Sequence, residues 1–426
     1  MHISKTVKSP NEVELTIAAN EADLSPLKAK TLKKLAPQVK LPGFRAGKVP
    51  MNLVEKNLDQ AAFQSEFLDA AVNALYNEAL NQENLRPVGN PEMSLKKFVP
   101  FTELEFTLVV PVIGDIKLPD YKKIKLAKPA VKIESKDVNE VVKSLQKRMA
   151  ERKSVTRAAK DGDEAVIDFK GTDSKGEAVN GAEGKDYPLN LGSNTFIPGF
   201  ETNLIGMKPE ESKVFTITFP KDYGVAALQS KKVTFEVTLK SLNELVEPKA
   251  DDEFAAKSGP FKTMTELKDD IKKQLIVERQ QEADRNYEEA LLKEIASKTK
   301  LSVPKELVDE QTDRIEREEK QNLVYRGQTW EEHLTSEGVT AEEHKEQKRP
   351  IAEERVKIGI VLSEISEAEK IVVTPEEFDV RLKMMKGQYQ DATAQAELDK
   401  PEVQRDVLAR MMTEKTITNL VGYASK

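Results

Sequence analysis

Few residues in this sequence could carry covalent or metal chemistry. The 426 residues include no cysteine, which excludes disulfides, thiolate nucleophiles and cysteine-based metal sites. The three histidines are His2, His333 and His344, and all of them lie outside the central segment 163–242. Catalytic triads and histidine metal sites are therefore excluded from that segment.

A loop near the N-terminus has residue types suited to binding. Residues 24–48 include seven basic residues and no acidic one, a local charge of about +7 in a chain whose net charge is −7. In the loop 42–50, two prolines bracket two glycines, so the chain can turn tightly on a stiff base. Phe44 is hard to bury at such a tip. Beside Arg45 and Lys48 it suits an anionic, partly apolar surface.

The same residues allow a second interpretation. Runs of lysine usually form a solvated helix face, and Phe44 could fold back onto the neighbouring helices. The residue pattern alone leaves both interpretations open.

The elements around this loop predict an α+β unit of about 110 residues. Apolar side chains alternate over 11–18 and 104–110, which indicates two strands with one buried face. A helix is expected from about Ser25, with Pro26 at an early position. A second helix is expected after Pro50, because its apolar spacing continues without proline or glycine until Pro87.

The pattern then changes twice along the chain. Residues 113–152 predict a lysine-rich connector that ends in a helix. Short alternating strands follow, at 165–170, 214–219 and 233–239. After Pro248 the sequence predicts long charged helices, at about 262–299, 304–325, 330–347, 350–369, 375–389 and 401–422. A proline lies near the start of four of these helices: Pro304, Pro350, Pro375 and Pro401.

The loop sequence carries a family resemblance. The string Gly43-Phe44-Arg45-Ala46-Gly47-Lys48-Val49-Pro50 resembles the ribosome-docking signature of the trigger factor family at all eight positions. The resemblance implies that Gly43, Phe44, Arg45 and Lys48 form a ribosome-binding site beside the polypeptide exit tunnel.

The central segment resembles the FKBP-type prolyl isomerases. The resemblance is carried by Ala165–Phe169, Phe196–Glu201 and Val233–Val237. Rotation about a peptide bond faces a barrier of about 18–20 kcal/mol, and a dry aromatic pocket lowers it by favouring the twisted amide without a nucleophile. By this resemblance, the catalytic pocket comprises Asp168 near its rim with Phe169, Tyr187, Phe196, Ile197, Phe200, Tyr223 and Phe235. As a second interpretation, these rings are only the core of the domain.

One stretch departs from the isomerase pattern. Val179 stands where most of the family has an aromatic residue, and Asn180 follows where many members have an acid. A smaller wall would hold a proline ring less tightly, so we expect a weakened isomerase.

The helical region suggests a surface for unfolded chains. Flexible methionine side chains adapt to many partners, and they cluster at Leu382–Met385 and at Met411 and Met412. Apolar stripes at helical spacing also form cores, so this interpretation is supported mainly by the family resemblance.

The predicted fold class is α+β multidomain. We expect an N-terminal α+β ribosome-binding domain (1–112), a connector that packs with the C-terminal domain (113–152), an FKBP-like β domain with a short helix (153–245) and an all-α chaperone domain with arm-like helices (246–426). The resemblance implies a ribosome-associated chaperone that binds nascent polypeptides at the exit tunnel and has prolyl cis–trans isomerase activity. One alternative is a prolyl isomerase whose flanking regions only recruit substrate. An RNA-binding regulator would explain the basic helix but not the isomerase-like segment.

The expected partners and setting follow from the same observations. The resemblance implies contacts with the large ribosomal subunit (ribosomal protein and rRNA), with nascent and unfolded polypeptides, and with a second copy of the chain off the ribosome. No Gly-x-x-x-x-Gly-Lys motif occurs, so we expect an ATP-independent protein without a cofactor. The absence of cysteine, of a signal peptide pattern and of any apolar run near 20 residues favours a cytoplasmic protein without membrane contact.

Overall fold

The chain forms two compact units with mixed helix and sheet, which confirms the predicted fold class. The computed structural model describes residues 1–39, 42, 44, 49–173, 176–220, 228–389 and 391–425, with the backbone alone at Asn180. One unit comprises Met1–Ala127, Glu288–Asn322 and Glu342–Lys426, and the other comprises Lys128–Tyr287 and Leu323–Ala341.

The N-terminal sheet has four antiparallel strands. They are β1 (His2–Ser9), β2 (Glu12–Asn20), β3 (Glu92–Val99) and β4 (Glu103–Pro111), in the spatial order β1-β2-β4-β3. The two predicted strands are the central pair, where Leu15 lies opposite Leu108 and Ile17 opposite Phe106 with all four side chains buried. The alternation in the sequence predicted only these two strands. The sheet, with four strands, is therefore wider than predicted.

The first helix begins earlier than the sequence predicted. Helix α1 runs Glu21–Leu35 and continues as a 3-10 turn at Ala36–Gln38. Asn20 and Asp23 form a capping box, in which each side chain accepts a hydrogen bond from the other residue's backbone N–H. The expected start at Ser25 is wrong, and Pro26 lies inside the helix.

The segment after Pro50 forms two helices and not the single one predicted. Helix α2 spans Met51–Asn57 and α3 spans Gln60–Gln82. The Asp59 carboxylate accepts hydrogen bonds from the first free N–H groups of α3, at Ala61 and Ala62, and so starts a new helix. Helix α3 packs Phe67, Ala71 and Leu75 against the sheet.

The second unit contains the isomerase-like module. After α4 (Ser135–Arg148) its elements are β5 (Glu151–Val155), β6 (Glu164–Thr172), β7 (Ala178–Asn190), α5 (Phe200–Leu204), β8 (Ser212–Thr218) and β9 (Lys232–Val246). The sheet has the order β5-β9-β6-β7, and β8 also pairs with β9. The three predicted strands are confirmed as β6, β8 and β9. One core cluster lies under the sheet, with Ile167, Phe200 and Val237 fully buried.

The remaining elements are helices. They are α6 (Asp252–Ser258), α7 (Met264–Lys298), α8 (Lys305–Tyr325), α9 (Trp330–Glu337), α10 (Ala341–Ala368), α11 (Pro375–Gly387), α12 (Ala392–Glu397) and α13 (Pro401–Ala424). Among the described residues, no helix is both long enough and apolar enough to cross a membrane.

Two of the predicted helix bounds in this region are wrong. The helix expected at 330–347 is divided, because α9 ends at Glu337 before Gly338 (φ +69°) and α10 begins at Ala341. Pro350 was expected at a helix start, but it lies inside α10. A proline there removes a backbone hydrogen bond. The helix continues because both sides of Pro350 are anchored, with His344 and Ala352 fully buried.

Candidate functional site

Aromatic rings from four elements meet in the isomerase-like module. The ring of Phe196 lies centrally, with its centroid 4.7 Å from Phe200, 5.3 Å from Tyr187 and 5.5 Å from Phe169. Phe200 in turn meets Phe235 edge to face at 5.2 Å. These separations are typical of favourable aromatic pairs. Five of the eight residues expected in the pocket are thus brought together.

The exposed fraction of the rings increases from the base of the cluster to its opening. Phe200 and Phe235 are 0% and 2% exposed, so they are core residues as well as the floor of the cluster. Phe169 and Phe196 are half-buried, and Tyr187 is 43% exposed. Ile197 is also half-buried and packs against the same core. The cluster therefore offers an apolar surface that opens to solvent at Tyr187.

A glycine allows the rings to pack closely. A Cβ atom on Gly184 would lie 2.6 Å from Cε1 of Phe169, which is closer than real Cβ contacts. The Phe169 ring therefore lies directly over the backbone of β7. Any side chain at position 184 would displace it.

A buried carboxylate holds the segment that carries Phe196. Glu201, in α5, is 6% exposed. Its oxygens accept hydrogen bonds from the backbone N–H groups of Gly192 (2.8 Å), Asn194 (3.0 Å), Thr195 (3.0 Å) and Phe196 (3.2 Å), and from the hydroxyl of Ser193 (3.2 Å). Burial opposes ionisation, but these donors outweigh it and lower the pKa of Glu201. Glu201 ends the FKBP-like motif Phe196–Glu201, in which we predicted no role for it; its hydrogen bonds fix the Phe196 loop.

Asp168 is adjacent to Phe169 but is not itself part of the aromatic cluster. Its neighbours Ile167 and Phe169 face the core, so alternation along β6 directs Asp168 to the opposite face. Its Oδ1 accepts a hydrogen bond from the backbone N–H of Asp186 at 2.7 Å. Its Oδ2 lies 3.9 Å from Nζ of Lys240 on β9, and Asp168 lines one cavity with Phe169.

Three other expected positions have different outcomes. Tyr223 lies outside the described residues, as does the side chain of Asn180. Val179 is half-buried and packs against the core cluster.

The N-terminal loop can be described only in part. Gly43, Arg45 and Lys48 lie outside the described residues. Phe44 is 44% exposed, whereas Val49 is 4% exposed and packs in a core cluster with helices α1 to α3. The exposed ring therefore precedes a residue that is anchored in the core.

The basic stretch beside the loop is partly neutralised. Lys28 forms an ion pair with Glu55 at 2.7 Å, and its Nζ lies 4.6 Å from the ring centroid of Phe101. Lys34 pairs with Glu66 on α3. The count of seven positive charges therefore overstates the local field, because α2 and α3 supply acidic partners that the linear stretch does not contain.

Exposed apolar side chains lie on α11. Val380 is 54% exposed and Met384 is 67% exposed, and Met411 of α13 lines the same shallow groove. Of the two methionine clusters noted in the sequence, Met384 is the most exposed member, whereas Met411 is 9% exposed.

Comparison with known proteins covers most of the chain. Residues 1–145 match the family described as "Bacterial trigger factor protein (TF)", and residues 263–422 match its C-terminus. Residues 155–240 match "FKBP-type peptidyl-prolyl cis-trans isomerase".

Curated relatives agree. The trigger factor of Clostridium botulinum is 34% identical over 373 residues, covering 87% of each chain. That of Bacillus mycoides is 35% identical over 379 residues, covering 88% of each chain. That of Carboxydothermus hydrogenoformans is 34% identical over 427 residues, covering 100% of this chain and 99% of the relative. The chain therefore belongs to the trigger factor family, the ribosome-associated chaperones that carry an FKBP-type domain.

Proposed function

We propose that the chain docks on the large ribosomal subunit, beside the polypeptide exit tunnel, through Gly43, Phe44, Arg45 and Lys48. The observation that carries this proposal is the 44% exposure of Phe44 next to the anchored Val49. An exposed ring forgoes the free energy of apolar burial, which it can gain when it packs on a binding partner. Its neighbours Arg45 and Lys48 would contact rRNA phosphates while the ring packs on ribosomal protein.

Co-sedimentation with ribosomes tests the docking proposal. The triple replacement of Phe44, Arg45 and Lys48 by alanine should abolish binding. A matched control replaces Tyr325, 90% exposed, and the adjacent Arg326 by alanine, which removes a ring and a base elsewhere. Undiminished binding by the triple variant, or equal loss in the control, would contradict the assignment.

The ring cluster supports prolyl isomerisation as a second activity. Phe169, Tyr187, Phe196, Ile197, Phe200 and Phe235, with Tyr223, would hold a proline ring in apolar surroundings that favour the twisted amide. Asp168 would lie near the rim of this site, because it lines one cavity with Phe169. Val179 would leave one wall short, so the activity should be weak.

A protease-coupled assay with a proline peptide tests this activity. We expect a rate above background that rises when Val179 is replaced by phenylalanine. A wild-type rate equal to background would reduce the module to a binding or spacer role.

The helices would serve as the binding surface for emerging chains. The exposed Val380 and Met384 support this role, because apolar burial is non-directional and tolerates many sequences. We propose that this binding needs neither ATP nor another cofactor. Suppression of client aggregation should therefore proceed in nucleotide-free buffer, and a requirement for added ATP would contradict this.

The proposed division of labour follows the four segments expected from the sequence. Residues 1–112 bind the ribosome, and residues 113–152 connect this domain to the rest of the chain. Residues 153–245 catalyse prolyl isomerisation, and residues 246–426 bind unfolded clients. The protein is cytoplasmic and pairs with a second copy when it is off the ribosome. Sedimentation of the free chain over a range of concentrations tests the pairing, and a monomer throughout would exclude it.

A further inference from the structure

Strand β7 has a bulge next to the ring cluster. Ile167 pairs with Tyr187, but Phe169 pairs with Gly184, so Lys185 and Asp186 together face the single residue Asp168. Asp186 has a φ of +51°, in the left-handed region that non-glycine residues seldom adopt. The bulge sets the direction of the next residue, Tyr187.

Strand β9 has a second bulge on the other side of β6. Val166 pairs with Ser241 and Ile167 pairs with Leu239, which leaves Lys240 as the extra residue. Strands β7 and β9, which both pair with β6, therefore each have a bulge opposite residues 166–169. Bulges of this kind re-aim side chains beside functional sites.

The residues of the two bulges meet at Asp168. Its Oδ1 accepts the backbone N–H of Asp186 at 2.7 Å, and its Oδ2 lies 3.9 Å from Nζ of Lys240. Lys240 also forms a direct ion pair with the Asp186 carboxylate. The Lys240 ammonium group therefore interacts with two carboxylates, one on β6 and one on β7.

We propose that Lys240 is a positioning residue for the isomerase site, which fixes Tyr187 by holding the Asp168–Asp186 bulge in place. This inference rests on the proposed isomerase activity. Without the ammonium group, two carboxylates held close by the Asp168–Asp186 hydrogen bond would repel each other and open the bulge. Tyr187 would then leave its contacts with Phe196 at 5.3 Å and Phe169 at 5.9 Å.

The ionised state of Lys240 is consistent with this role. A lysine side chain is already charged at neutral pH, and the hydrogen bond to Asp186 raises the pKa of Lys240 further. The side chains of Lys240, Asp168 and Asp186 are 42%, 38% and 68% exposed. Solvent screens such a pair, so the effect of its loss should be moderate.

The test measures KM and kcat separately by NMR exchange on a proline peptide. Because Tyr187 lies at the mouth, it should contact the ground state and the transition state alike, so Lys240→Met should raise KM about threefold with kcat little changed. Lys240→Arg should restore the wild-type KM. The matched control Lys232→Met, on the same strand, should leave both constants unchanged. Equal effects of the two methionine variants, or no rescue by arginine, would overturn the proposal.

A double variant tests whether repulsion between the Asp168 and Asp186 carboxylates causes the effect. Asn tolerates the left-handed conformation but carries no charge. In an Asp186→Asn background, Lys240→Met should therefore have little further effect on KM. A full threefold effect in that background would contradict the mechanism.

A readout that does not depend on activity separates this inference from the proposed function. The ring signals of Tyr187 in ¹³C-tyrosine-labelled full-length protein, assigned with Tyr187→Phe, should shift in Lys240→Met and not in Lys232→Met. If the wild type does not isomerise the peptide, the proposed activity fails while these shifts still support the positioning of Tyr187. Unshifted signals would overturn the positioning role even in an active protein.

Discussion

The isomerase-like module and helix α11 differ in how far their apolar side chains are buried. The module buries its rings in one continuous core, with Phe200 at 0% exposure. None of the residues of α11 is buried, and Val380 and Met384 are more than half exposed. Its apolar residues Phe378, Leu382 and Met385 are only half-buried, and Glu377 forms an ion pair with Lys415 of α13 at 2.7 Å. A packed core fixes the shape of one pocket, whereas exposed apolar groups on a helix can meet many different chains.

The largest expected effect is the loss of a core ring in the module. Phe200→Ala should cost about 3–5 kcal/mol, because it removes a fully buried ring that contacts four others. Val380→Ala on α11 should change stability by less than about 0.5 kcal/mol. Hydrogen exchange of the β9 and α11 amides in the full chain measures both. Unchanged protection of β9 in Phe200→Ala would remove the contrast.

An intermediate effect is expected where polar groups fasten the helices. Glu369, the first residue after α10, accepts hydrogen bonds from Tyr121 (2.7 Å) and Tyr423 (3.0 Å) and pairs with Lys122 (2.7 Å). Its side chain is 15% exposed. Glu369→Gln should cost about 1–3 kcal/mol at neutral pH, because a charged acceptor with several donors is removed.

The same residue predicts a dependence on pH. Its bonds from Lys122 and Tyr121 lower the pKa of Glu369 from 4.5 to about 2. A lowered pKa stabilises the folded state above the unfolded-state value, so the difference between wild type and Glu369→Gln should be constant above about pH 4.5 and should shrink as the pH falls towards 2. Denaturant titrations at several pH values measure it. Glu367→Gln, whose side chain is 73% exposed, is the control, and an equal effect in that variant would refute the fastening role.

The smallest effect on stability should accompany a clear effect on binding. Replacing Val380 and Met384 by serine should leave the unfolding free energy within about 0.5 kcal/mol, because both side chains are exposed. Suppression of client aggregation should nevertheless weaken. The matched pair Asp379→Ser and Lys383→Ser, on the same helix, should leave suppression intact. Equal suppression by both double variants would mean that α11 does not bind clients.

Sequence patterns predicted the elements whose two faces differ. Strands β2 and β4 alternate clearly because one face is buried, whereas β1 and β3 are edge strands exposed along most of their length. Without a buried face, alternation carries little information. The Asn20–Asp23 capping pair marks the start of α1 and is a signal that the sequence contains. Pro350 could not be placed by local rules, because tertiary packing at His344 and Ala352 decides it.

The residues of the candidate site also fall into those that the sequence pattern predicts and those that it does not. Rings such as Phe200 and Phe235 were predictable, because large apolar residues at strand and helix positions are drawn into the core. Asp168 was expected near the pocket rim, but its surroundings depend on two bulges that only strand register reveals. The partners of Lys28 and Lys34 come from other helices, so a charge count along the sequence could not include them.

We expect chaperone activity to reside outside the isomerase-like module. Glu151 pairs with Val246, so the two ends of the module lie side by side and the chain can be rejoined from Ala150 to Glu247. The measurement is suppression of client aggregation by this deletion variant, with ribosome co-sedimentation as the control for folding of the remainder. We predict that suppression is largely retained. Loss of suppression in a variant that still binds ribosomes would contradict the account and favour a prolyl isomerase whose flanking regions only recruit substrate.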